Sequence, residues 1–265
     1  MRLCERGGLT ARRAGVGVGV EAKVVTASRD IVLALETSGT TGGAALLDGR
    51  LLLGSLSFTS RALYSQRLLP AVEWLLERAE VSLDRVGAVG VSRGPGSFTG
   101  LRVGLSAAKG LAYATGAALV GVPTLEALAL RAAGVAGGGL VCPVLDARQG
   151  MVFGALFRLE ESAGAVPRLV RLREDFAGAA AEVAGWIGEP TVFLGDGALR
   201  YADEFATLLG DRFVLAPPHR RLPSAEEVAL LALERWRRGD TDDPAGLVPE
   251  YVARSYMERT RPDLR

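Results

Sequence analysis

From Ile31 onward the apolar positions fall into short runs broken by turn residues. IVLALETS (31–38) is rich in β-branched side chains, and GGAALLDGR and LLLGSLSF follow behind glycine-containing turn signals. Three strands are expected, antiparallel neighbours in one sheet. The period then lengthens: LYSQRLLPAVEWLLERAE (63–80) has apolar residues at helical spacing, with Pro70 inside it. RVGAVGVSRG reads as a buried strand, 98–115 as a second helix, ALVGVP as a strand and TLEALALRAA as a third helix.

GVAGGG (134–139) is the best linker in the chain, and after it the order restarts. LVCPVLDARQG, MVFGALFRLE and PRLVRLRE read as strands and FAGAAAEVAGWIG as a helix. PTVFLGD is then a strand, YADEFATLLG a helix and RFVLAP a strand. SAEEVALLALERWRRG closes the series as a long amphipathic helix, with Ser224 and Glu227 spaced as a capping box. Two βββαβαβα halves imply an α/β protein built by internal duplication, with an N-terminal lobe at 30–136, a C-terminal lobe at 137–265 and a cleft between them. This is the layout of the actin-like, Hsp70-like and sugar-kinase proteins.

Composition narrows the chemistry. The chain has 265 residues, 31 Lys plus Arg against 30 Asp plus Glu, and a net charge of +1. That balance supplies no global field for gripping a polyanion. No run approaches the roughly 18 apolar residues of a membrane span. Residues 1–29 are Arg- and Gly-rich without a period and read as a disordered extension or an over-long start; the short, glycine-broken AGVGVGV makes a poor signal peptide. One histidine, His219, and two cysteines, Cys4 and Cys142, are too few and too far apart for a zinc site. Few cysteines also fit a reducing cytoplasm.

In a two-lobed ATPase the turn after the first strand of each lobe faces phosphate. Here those turns carry Glu36 with Ser38, and Asp146. Two readings stand: a carboxylate holding magnesium through water, or one bonding nearby backbone at a strand end. The loop Gly94, Pro95, Gly96, Ser97, Phe98, Thr99 lacks the lysine that a Walker loop places before its hydroxyl. Ser97 or Thr99 can cap the following helix, whose free N–H groups suit an anion, while Phe98 reads as a hydrophobic anchor.

The helix behind that loop has three faces at 100° per residue. Leu101, Leu105, Ala108 and Ala112 suit the domain's own sheet. Gly100, Val103, Gly104, Ala107 and Gly110 form a strip of small residues, and Arg102, Ser106, Lys109 and Tyr113 a polar stripe. Mid-helix glycines each cost about 1 kcal/mol relative to alanine, so a second backbone coming close would explain them. On the preceding helix, Tyr64, Leu68, Leu69, Ala71 and Leu75 belong to an apolar arc of roughly 160°, wider than one core-facing stripe needs; Trp74 lies outside it. A partner surface or a deep position in the fold explains both helices.

IVLALETS, SQRLLP, VSRGPGSFTGLRVGLSAAKGLA, VGVPTLEALA, VLDARQGMVFGALF, GDGA and VPEYVARS occur in the order found in the TsaB, or YeaZ, family, and the resemblance spans residues 30 to about 257. It implies an actin-like fold and a place in the bacterial machinery that makes threonylcarbamoyladenosine at position 37 of tRNA. Its expected partners are a second copy of itself, the catalytic paralogue TsaD through the first two helices, and the ATPase TsaE, with tRNA met only within the complex. No cofactor is expected, and whether ATP or ADP lodges at the partner interface is left open by the sequence. Thr124 and Leu128 stand where the paralogue's metal-binding H-x-x-x-H has its histidines, so no metal or transfer chemistry is expected here. Two positions depart from the family pattern: Glu36 replaces the usual aspartate and Tyr64 a common histidine.

The leading expectation is therefore a non-catalytic assembly subunit. The competing one is an ATP-using or peptidase-like enzyme of the same fold, resting on Glu36 and Asp146. A free-standing RNA-binding protein lacks a basic, aromatic-rich face.

Overall fold

Strand β1, Ile31–Glu36, is buried along its whole length, which requires cover on both faces of its sheet. The computed structural model describes residues 30–59, 64–160 and 166–252. The expected extension 1–29, Cys4 within it, and the Arg-rich tail after Val252 lie outside those residues.

β1 pairs antiparallel with β2 (Thr41–Asp48), and β2 with β3 (Leu51–Thr59). On its other side β1 runs parallel to β4 (Val86–Gly94), and β4 to β5 (Ala118–Pro123), giving the order β3-β2-β1-β4-β5. The second sheet holds β6 (Leu140–Arg148), β7 (Met151–Glu160), β8 (Arg168–Gly178), β9 (Thr191–Leu194) and β10 (Phe213–Leu215). Its order, β10-β9-β6-β7-β8, matches the first sheet strand for strand. The duplication read from element order is thus present in the pairing.

Alternation along β1 sorts its side chains. Ile31, Leu33 and Leu35 meet the core under helices α1 (Tyr64–Arg78) and α2 (Phe98–Thr115). Val32 and Ala34 meet the opposite core, which is capped by α7 (Ala225–Arg237). By chain order α7 belongs to the second half, yet it packs on β1, β2, β4 and β5 of the first sheet. Its small face explains the fit: Ala229 and Ala232 let it approach where Gly90 leaves no room for a side chain. Helix α3 (Thr124–Leu130) does the reverse, with Leu125, Leu128 and Ala129 in the core of the second sheet. Each half lends its closing helix to the other's sheet, so both helices lie between the sheets. The far face of the second sheet is covered by α4 (Ala180–Ala184), α5 (Asp196–Arg200) and α6 (Ala202–Leu209).

Three local expectations change. The helix expected from Phe176 begins only at Ala180, because β8 keeps pairing with β7 as far as Gly178. Helix α5 was not expected at all. Ser224 does cap α7, accepting from the Glu226 N–H at 3.3 Å, but Glu227 does not close a capping box. It is buried and accepts no return hydrogen bond from the cap backbone; it pairs instead with Arg131 at 2.8 Å, beyond the end of α3. A buried carboxylate needs a counter-charge more than a helix end needs a second cap.

Because α7 closes the first sheet, truncating its fully buried Leu233 to alanine should cost about 2–5 kcal/mol. Leu69 on α1 is half exposed, and its alanine variant should stay within about 0.5 kcal/mol of the parent. Urea unfolding of the two variants side by side checks this.

Candidate functional site

The glycine loop joins β4 to α2 and closes onto the turn after β1. The Ser97 N–H donates to the Ser38 carbonyl at 2.6 Å, and the Gly100 N–H to the Ser97 hydroxyl at 3.3 Å, which makes Ser97, of the two candidates Ser97 and Thr99, the cap. The Thr37 hydroxyl donates to the Gly100 carbonyl at 2.8 Å. A Cβ at Gly96 would run into Ser38, and one at Gly100 or Gly104 into Thr37. The backbone that these glycines admit is the chain's own. This corrects the reading of Gly100 and Gly104 as a strip open to a partner helix. Leu68, Ala71 and Leu75 are likewise buried in the chain's own first core. Leu101, Leu105, Ala108 and Ala112 face the sheet as expected.

What remains outside is a groove of about 610 Å³ between α1 and α2. Ser65, Leu68 and Leu69 of α1 line one side, and Phe98, Arg102, Val103 and Ala107 of α2, with Thr99 and Ser106, the other. Leu69, Trp74 and Phe98 are each about half exposed, at 50%, 48% and 47%, an unusual outlay of large apolar surface on neighbouring helical turns. Gly110, further along α2, faces open space. Arg102 lies 3.8 Å over the Phe98 ring. Leu69 was visible in the apolar arc of α1. Phe98, read only as an anchor within the loop, is a wall of the groove.

The inner side of the same loop meets the cleft. Glu36 is wholly buried and accepts from the Ser38 N–H and hydroxyl, both at 2.5 Å, and from the Ser92 hydroxyl. Burial pushes its carboxyl above the ordinary 4.5, against the pull of those donors. Asp146 is held by Arg200 at 3.0 Å and Arg148 at 3.7 Å. Asp196, which sequence reasoning missed, accepts from the Asp146 N–H at 2.9 Å, and burial raises its carboxyl too. Tyr64 lies where it feels both Glu36 and Asp196. Burial and those charges push its phenol to about 12, and its hydroxyl donates to the Gly39 carbonyl at 2.6 Å.

Glu36, Ser38 and Ser92 thus form one buried network, with Tyr64 in electrostatic reach of Glu36 and Asp196, and each carboxylate already has close partners. Among the described residues no group of three or more His, Cys, Asp or Glu side chains is set to hold a metal ion. Thr124 Oγ1 is buried without a hydrogen-bond partner, Leu128 is core, and the Cys142 thiol is buried and pushed up by burial. His219 contributes its carbonyl to Arg131 at 2.7 Å. No helix among the described residues is long and apolar enough to cross a membrane.

Two sheets of one strand order, with exchanged closing helices, define a two-lobed actin-like protein. The family model for TsaD, tRNA N6-adenosine threonylcarbamoyltransferase, matches residues 58–169. The tRNA threonylcarbamoyladenosine biosynthesis protein TsaB of Bacillus subtilis is 29% identical, covering 86% of this chain and 96% of the relative. Its counterpart in Escherichia coli is 30% identical over 75% of this chain and 84% of the relative. The solved structure of YeaZ from Pseudomonas aeruginosa superposes with a TM-score of 0.70 at 30% identity, covering 83% of this chain and all of that one. The chain belongs to the TsaB family, proteins of tRNA threonylcarbamoyladenosine biosynthesis.

Two outcomes follow from this geometry. Gly104→Ala should lose about 1–3 kcal/mol by overpacking against Thr37, whereas Gly110→Ala should gain up to about 1 kcal/mol from helix propensity; urea midpoints read both. Glu36 keeps its proton longer in the folded than in the unfolded chain, so its contribution to stability is fully present below pH 4.5 and is lost as pH rises through the folded pKa. Glu36→Gln should remove that loss, making the variant gain on the parent as pH climbs from 4.5, as measured by denaturant titrations across pH.

Proposed function

We propose that this chain is a non-catalytic assembly subunit of the threonylcarbamoyladenosine machinery, docking through the α1/α2 groove on a TsaD-type transferase and activating it. The observation that carries the reading is the groove itself: half-exposed Leu69 and Phe98 beside half-buried Val103 and Ala107, on a helix pair whose inner residues are spoken for by the chain's own core. The occupant follows from likeness. The TsaD family model covers α1 and α2 of this chain, so the two proteins carry the same helix pair, and like faces on homologous chains pack about a pseudo-twofold axis. The same argument makes a second copy of this chain the occupant when the transferase is absent. TsaE and tRNA are met through the assembled complex.

The internal satisfaction of the cleft supports the non-catalytic part. Glu36 spends its oxygens on three donors and Asp146 on two arginines, while Thr124 and Leu128 offer no imidazole where the paralogue binds its metal.

Leu69→Glu tests the reading, because the site is exposed and the fold should tolerate it. Placing a charge in an apolar contact centre should weaken binding to the transferase at least about thirtyfold, the scale of a hot-spot residue. Tenfold or smaller loss in a calorimetric titration, with tRNA modification intact, would show that the groove is not the docking face.

A further inference from the structure

After α7 the chain continues over the first lobe as a strap with a turn at 243–247. The Asp242 N–H donates to the Leu119 carbonyl and the Gly121 N–H to the Asp242 carboxylate, both at 2.8 Å. Leu247 is buried in the first core, packed over Gly121. The Glu250 N–H then donates to the Arg93 carbonyl at 2.7 Å, and its backbone covers Gly94, where a side chain would collide with it. The strap is thus anchored at successive points along the ends of β5 and β4, directly before the glycine loop.

The next residue is Tyr251. Its ring stacks on Phe98, with centroids 5.5 Å apart and planes 28° from parallel. Its hydroxyl accepts from Arg102 Nε at 3.3 Å, and the Arg102 guanidinium lies 3.8 Å over the same Phe98 ring. The three side chains close a ring of contacts although Phe98 and Tyr251 are each about half exposed. An exposed phenylalanine and arginine would ordinarily sample several rotamers, and ordering them at an interface costs affinity. Phe98 and Arg102 both line the groove.

We propose that Tyr251 is a positioning residue for docking: the strap carries it to the groove, where it holds Phe98 and Arg102 in the geometry a partner meets. This rests on the groove reading above. The strap thereby couples the last described turn of the chain to an interface made by α1 and α2, more than a hundred positions earlier in sequence.

The test measures affinity of the full-length chain for the TsaD-type protein of the same organism by calorimetric titration. Tyr251→Ala should bind about tenfold more weakly, the scale of ordering one or two side chains afresh, with its thermal midpoint unchanged. Tyr251→Phe keeps the stack on Phe98 and should recover most of the affinity. In the background of Phe98→Ala, Tyr251→Ala should cost little more, since the two act as one unit. Wild-type or tighter binding by Tyr251→Ala overturns the inference, as does full additivity with Phe98→Ala. Leu69→Glu, run alongside, separates the failures. If Leu69→Glu also binds normally, the groove reading has failed; if it loses binding while Tyr251→Ala does not, only the role of Tyr251 has failed.

Discussion

The close approach of α2 to the turn after β1 organises both faces of the first lobe. Thr37 sits against Gly100 and Gly104, where no side chain fits, and bonds the Gly100 carbonyl. That contact sets the height of α2 over the sheet. It closes the cleft side of the loop around Glu36 and Ser38, and it leaves Phe98 lining the α1/α2 groove. One steric constraint thus makes an inner polar network and an outer apolar surface from the same short segment. The conformational cost of Gly100 and Gly104 in α2 is offset by this packing.

The two surfaces differ in what they have left to give. In the cleft, donors already surround the carboxylates. Burial still raises Glu36 despite the hydroxyls that favour its charged form, so desolvation is the larger effect there. In the groove, large apolar side chains remain half exposed beside the polar side chains that share its lining, a mixture found at protein interfaces. The family's association with tRNA threonylcarbamoyladenosine biosynthesis and the likeness of this segment to TsaD make that outer surface the place where function is expected to reside. The exchange of α3 and α7 between the lobes adds a second constraint. With Arg131 and Glu227 paired where those helices meet, the sheets cannot separate without breaking a buried ion pair and opening both inner cores.

Element order apart from α5, the duplicated halves, the Ser97 cap and the sheet-facing strip of α2 were legible in the sequence, because each follows from short-range periodicity or from one side chain bonding its own helix end. The small-residue strip was also legible, but its direction was not. Helical periodicity says that Gly100 and Gly104 share a face; it does not say whether the backbone approaching that face comes from another chain or from Thr37, more than sixty residues earlier. The same limit applies to Glu227, whose spacing from Ser224 fits a capping box until Arg131 arrives from another element.

The sequence by itself determined the two sheets, the helices between their strands and the family resemblance, since alternation, helical period and motif order are properties of neighbouring residues. Only the tertiary structure decided that α7 closes the first sheet, that the glycines serve the cleft, and that Phe98, Arg102 and Tyr251 meet at the groove. Those outcomes depend on which surfaces remain apolar and close-fitting after the strands have paired, and such long-range competition leaves no local mark along the chain.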